Sequence, residues 1–208
     1  MKLNSSYTRA RLYLGHSQLR DGELRKALRS YDNVLKSIPT NAGALYNRAL
    51  VLDLQKQKKD AKKAWLEYLK WFPAGAHAIR AADNLNALGD FSYENQYLGI
   101  RTVTLRTIGF QKRSDTVSAE SIASLRLVGT IVSNLEKGNL QIVVYGSDVR
   151  KLAQRRAFKL REKILELAPN LTPERVWVSW FNEPEIMAKN GVKYSKKNSV
   201  RLFLSEGE

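Results

Sequence analysis

Cysteine is absent from this 208-residue sequence, which excludes disulfide frameworks, thiol catalysis and cysteine-based zinc sites. Histidine occurs only twice, as His16 and His77, on separate segments with no Asp or Glu at metal-ligand spacing. Each reads as a groove or surface imidazole, and no metal site is expected. No apolar run approaches the ~18–20 residues that cross a bilayer, and the opening MKLNSSYTRA lacks the apolar core of a secretion signal. A glycine-rich phosphate loop and a nucleophile elbow are both missing, and no His stands beside a candidate Ser or Asp. Catalysis and a cofactor are therefore not expected. Glu183 and Glu185 in FNEPE read as solvated turn residues, because nothing else in the sequence suggests a substrate cleft around them.

Negative charge is also scarce: 20 acidic residues face 35 Lys and Arg, for a formal net charge of +15. Such a balance favours polyanionic partners, whether nucleic acid, acidic lipid or an acidic wall polymer. The excess is shared, +8 over residues 1–90 and +7 over 91–208, so no basic tail accounts for it. Its densest stretch is GSDVRKLAQRRAFKLREKI, residues 146–164. There Lys151, Arg155, Lys159 and Lys163 recur every fourth residue, so they share one helix face. Ala153, Ala157, Leu160, Ile164 and Leu167 form the apolar face, and Arg156 falls between the two. The stripe lacks the interleaved aromatics of single-strand binders, and the sequence has no helix-turn-helix or RNP motif, which disfavours nucleic acid as partner.

Length and an ordinary hydrophobic fraction of 43% allow two small domains, each with a core. In the first ninety residues a shift of 34 pairs Ala27 with Ala61, Tyr31 with Trp65, Val34 with Tyr68 and Pro39 with Pro73. Together with Leu14-Gly15 and Asp21-Gly22, these landmarks resemble the tetratricopeptide repeat. The second copy carries Ala49 and Lys56 in place of the two glycines. Residues 75–89 follow as a capping helix. The resemblance implies a short helical superhelix whose first helices line a groove for a protein partner. Arg9, Leu12, His16, Tyr46, Asn47, Leu50, His77 and Arg80 are the residues it would place there.

After residue 95 the pattern changes. IRTVTLRTIGF alternates as a strand, AESIASLRLVGTIVSNLEKG has helical spacing, LQIVVYGS reads as a buried strand, and a second helix and the strands ERVWVSWF and NSVRLFLS follow. The order is βαβαββ. This region, with its TIGF, YGSD, LAQRRA and KNSVRLFL segments, resembles the OmpA-like peptidoglycan-binding domain. The expected class is thus α followed by α/β, a tetratricopeptide unit over 1–89, a junction over 90–97 with Phe91, Tyr93 and Tyr97 packed between domains, and an OmpA-like domain with a mixed sheet over 98–208.

The OmpA-like resemblance implies that Asp148 takes the amine and Arg156 the carboxylate of a diaminopimelate residue in the peptidoglycan stem peptide. Arg suits that task, since its fork donates two parallel hydrogen bonds where Lys offers a point charge. The sequence departs from the family in a shorter connection from Asp148 to Arg156, in Ala153 where the family has Ser, and in Asn198 and Ser199 where it has an Arg pair. The resemblance also implies the periplasm of a two-membrane bacterium, with any signal or outer-membrane anchor ahead of residue 1. Two functions follow: a non-enzymatic envelope adaptor in a secretion, pilus, motor or maintenance complex, or a scaffold module of such a complex that has lost the wall ligand.

Overall fold

A computed structural model describes residues 5–146, 151–189 and 192–205. The chain divides into two compact units, Met1–Asn95 and Gln96–Glu208.

Among the described residues through Ala87 the first unit is helical: α1 (Ser5–Arg20), α2 (Leu24–Ser37), α3 (Ala42–Leu54), α4 (Lys58–Trp71) and α5 (Ala76–Ala87); its residues 93–95 are strand. Pro39 and Pro73 each stand two residues past a helix end, where their missing N–H costs nothing. Asn41 caps α3, its side chain accepting from the Ala44 N–H at 2.9 Å. Small residues set the helix spacing: a Cβ on Gly15 would lie 2.8 Å from the Tyr31 ring, so α1 approaches α2 only because none is there. The turn after α1 uses Gly22 at φ +76°, and the turn after α3 puts Lys56 at φ 61°, the left-handed conformation without the glycine.

Two clusters fill the unit. One gathers Ala27, Tyr31, Val34, Ala44 and Val51, and the other is built around Trp65 with Leu45, Leu69 and Leu85. The Tyr31 hydroxyl is buried with no hydrogen-bond partner among the described residues, and burial pushes its phenol up to about 12 from an ordinary value of about 10. Because the folded value is raised, the fold disfavours the phenolate. The stability Tyr31 contributes is complete below pH ~10 and declines as pH rises toward the folded value. Tyr31→Phe is expected to flatten that alkaline decline in urea unfolding and to stabilise the protein at neutral pH by up to ~1 kcal/mol, since it removes an unmatched buried hydroxyl.

The second unit is a sheet with helices. Strand β1 (Tyr93–Leu98) pairs with β2 (Arg101–Arg106); then come α6 (Ile122–Ser133), β3 (Asn139–Gly146), α7 (Leu152–Leu167), β4 (Val176–Phe181), β5 (Glu185–Lys189), β6 (Val192–Lys196) and β7 (Asn198–Ser205). The main sheet has the order β4-β3-β7, with β3 parallel to β4 and antiparallel to β7. Its inner face, Leu140, Ile142, Val144, Val176, Val200 and Leu202, meets Ala153, Ala157, Leu160 and Ile164 of α7 and Leu125, Val128 and Val132 of α6. A Cβ on Gly129 would come 2.7 Å from the Ala168 Cβ, so α6 sits close to the end of α7.

The simple βαβαββ order is corrected in two places. The expected first strand stops at Arg106 and pairs with β1 in a separate two-stranded sheet, leaving β4-β3-β7 as the main one among the described residues. Beyond Arg106 the backbone finds other partners: the Gly109 N–H donates to the Ser121 Oγ and the Gly109 carbonyl accepts from the Ser118 N–H, both at 2.9 Å. An additional hairpin, β5–β6, stands where a loop was expected. Within the stretch read as a junction, residues 93–97 are strand; Tyr93 belongs to the helical core, while Tyr97 is exposed.

Candidate functional site

Arg156 occupies a core position of α7. It lies one turn from both Leu152 and Leu160, and it is 5% exposed, so it belongs to the buried face rather than to the boundary expected from its sequence position. A buried guanidinium requires partners, and the preceding loop and the last strand provide them. Its Nε donates to the Ser114 carbonyl at 2.9 Å, and its Nη1 donates to the Asn198 Oδ1 at 2.8 Å. The guanidinium carbon is 4.7 Å from the centroid of the Phe110 ring, a cation–π contact.

These partners are held locally. The loop 107–117 closes on itself through the bridge between Phe110 and Val117 and the bond from the Gln111 N–H to the Thr116 carbonyl at 2.8 Å. Asn198 begins β7 opposite Gly146, the last residue of β3. Loop, helix and strand ends enclose a cavity of about 400 Å³ lined by Phe110, Lys112, Arg113, Tyr145, Arg156 and Ser199, among others. Ser199 is 5% exposed, and its Oγ has no hydrogen-bond partner among the described residues. Three cationic side chains in the lining suit a small ligand that carries a carboxylate. Asp148 lies outside the described residues.

The basic face of α7 differs from a row of unmatched like charges. Arg155 pairs with Asp115 at 3.3 Å, Lys159 with Glu162 at 2.7 Å and Lys163 with Glu166 at 2.5 Å. The hydrogen bond that Lys159 donates to the Glu162 carboxylate holds its ammonium above the usual lysine range. Lys151 is exposed at the start of the helix, at φ 61°. With three of its four cations paired, the stripe offers a polyanion less than the sequence suggests.

The expected groove residues separate into two groups. Leu12 and Leu50 pack against the helical cores, and the Tyr46 ring meets Trp65, Tyr68 and His77 at 5.2, 5.3 and 4.7 Å. His16 lies 5.9 Å from both the Tyr13 and the Tyr31 ring, with its Nε2 buried. Leu12, Leu50, Tyr46 and His16 thus make internal contacts and are each half-buried. Arg9, His77 and Arg80 are exposed and Asn47 is half-buried.

Glu185 is a further correction. It lies in β5, 9% exposed, and its Oε1 accepts from the Arg201 Nε at 2.5 Å; Glu183 is an exposed turn residue. No local pattern signals that burial, since the neighbouring Ile186 is 72% exposed while the charged Glu185 is covered. Comparison with known proteins finds no family model and no curated protein that matches the chain.

Proposed function

We propose that this chain is a non-enzymatic cell-envelope adaptor. Its second unit holds peptidoglycan through a diaminopimelate residue of the stem peptide, and its helical unit holds a protein partner within a periplasmic envelope complex. The observation that carries the reading is the buried Arg156 on the wall of the cavity, with Lys112 and Arg113 also in its lining. In this reading the guanidinium receives the diaminopimelate carboxylate. Asp148 takes the amine. The exposed Arg9, His77 and Arg80 form the accessible part of the partner surface.

A second reading has its own support. Arg156 already donates to Ser114 and Asn198, which suits a guanidinium that tethers loop 107–117 and β7 to α7 in a scaffold module without a wall ligand. Co-sedimentation with diaminopimelate-type peptidoglycan separates the two. The adaptor reading expects retention that persists from low to physiological salt and falls about 10- to 100-fold in Arg156→Lys, which keeps the charge and loses the fork. Asp148→Ala is expected to weaken retention as well. No retention of the parent, or retention that fades with salt and ignores position 156, favours the scaffold.

A further inference from the structure

The outer face of the main sheet carries aromatic side chains that the core does not use. On this face β4 presents Trp177, Ser179 and Phe181, and by register their neighbours on β3 are Gln141, Val143 and Tyr145. Trp177 is 55% and Phe181 43% exposed. Both are held in place: the Trp177 Nε1 donates to the Glu174 carbonyl at 2.7 Å, and the Phe181 ring stacks on Tyr145 at 5.1 Å with 17° between planes. On the β7 side Arg201 of the same face is engaged by Glu185 of the hairpin, while Trp177, Ser179 and Phe181 of β4 are exposed among the described residues. A row of fixed, exposed aromatics on a strand is a surface feature that calls for a ligand.

Three observations select its chemistry. Glu174 and Glu183, both exposed, flank β4 in sequence at its two ends and oppose a phosphate backbone. Ser179 stands between the two aromatics and Gln141 beside Trp177, so the strip alternates ring and polar group. A purely apolar partner would leave those polar groups without hydrogen bonds. A sugar ring has an apolar C–H face and a polar rim, and it matches both. Third, Tyr145 both stacks on Phe181 and lines the cavity of Arg156, so the strip continues from that cavity.

We propose that Trp177, Phe181 and Tyr145 form a platform for the amino-sugar backbone of the same wall polymer whose stem peptide enters the Arg156 cavity. The platform rests on the adaptor reading for its ligand and extends it from the peptide to the glycan. Four residues of strand span ~13 Å from Trp177 to Phe181, so the platform seats a short run of sugars and not a single ring.

The test uses the full chain and three probes in calorimetry: the diaminopimelate stem tripeptide, the same peptide on its N-acetylglucosamine–N-acetylmuramic acid disaccharide, and peptide-free glycan strands. The parent is expected to bind the disaccharide-peptide about 10-fold more tightly than the bare peptide, a gain of ~1.4 kcal/mol. Trp177→Ala and Phe181→Ala are expected to remove that gain and leave the bare peptide unchanged. Equal affinity of the parent for the two peptide probes overturns the platform, whatever the cavity does. If neither peptide probe binds, the cavity reading fails and the glycan strands decide: binding lost in Trp177→Ala and Phe181→Ala supports the platform, and no binding overturns it. Binding of a single-stranded oligonucleotide through Trp177, with no response to sugars, also overturns it.

Discussion

Trp65→Ala is expected to destabilise the helical unit by ~3–5 kcal/mol, the largest effect of any single truncation in that half of the chain. Trp65 is fully buried, and its cluster includes many small side chains, Ala49, Ala61, Ala64, Ala78 and Ala82, beside leucines such as Leu45, Leu69 and Leu85. Alanines have no flexible ends that could swing into the space a lost indole leaves, so the cavity persists and its walls lose their dispersion contacts. Tyr46 also loses the edge contact at 5.2 Å that orders it against α4. One term works in the opposite direction, because the Trp65 Nε1 is buried without a hydrogen-bond partner among the described residues, and the substitution removes that unmatched donor. Urea unfolding followed by far-ultraviolet dichroism should show the helical transition moving to lower denaturant, with the sheet unit unchanged. A loss below ~1 kcal/mol would mean that the helices repack around the hole.

Arg201→Ala is expected to cost the sheet unit ~3 kcal/mol, because it leaves the buried Glu185 carboxylate without its cation. The pair is shielded from water on both sides, with side-chain exposures of 22% for Arg201 and 11% for Glu185, so solvent cannot replace the lost partner. The pairing also fastens the β5–β6 hairpin to β7, and the substitution should loosen that hairpin before the main sheet unfolds. The double variant Glu185→Leu with Arg201→Met is expected to recover most of the loss, since apolar groups of similar volume need no partner. Thermal unfolding of the two variants provides the comparison. A double variant as unstable as Arg201→Ala would contradict this account, because the loss would then not come from the unmatched carboxylate.

The helical half was legible because its constraints are local. Gly15 opposite Tyr31, the alanines at 27, 49 and 61, and Pro39 and Pro73 each limit what the backbone can do within a few residues, and the spacing of 34 repeats those limits. What the spacing did not reveal is how far the side chains of the first helices also pack inward: Leu12, Tyr46 and Leu50 are half-buried and touch the clusters. Lys56 is a related case. Its left-handed backbone shows that the turn geometry is imposed by the helices it joins and survives the loss of the glycine.

The sheet half depended on contacts distant in sequence. Strand β1 was read as part of a junction because YENQYL carries polar residues at Glu94 and Gln96, both buried by tertiary contacts that periodicity does not report. The β5–β6 hairpin did have a local signal, the Asn190-Gly191 dipeptide between two strand-like runs, and the proline at 184 drew attention to the turn before it. For the site, Arg156 was reached through the OmpA-like resemblance, yet its burial could be read from the helix alone: Leu152, Arg156, Leu160 and Ile164 recur every fourth residue along one face. The acids Glu162 and Glu166, three residues after Lys159 and Lys163, likewise announce the pairing that neutralises the basic stripe. Asn198 and the Ser114 carbonyl come to Arg156 from segments 42 residues away, and only the fold brings them together.

The most direct test of the central claim is a nuclear magnetic resonance titration of the arginine side-chain Nε–H signals with free diaminopimelate, with Arg156→Lys to assign the resonance. The adaptor account predicts that the Arg156 signal shifts saturably, because a carboxylate entering the cavity alters the guanidinium that now donates to Ser114 and Asn198. An Arg156 signal that stays in place at saturating diaminopimelate would contradict the account and leave the guanidinium as a tether between loop, helix and strand.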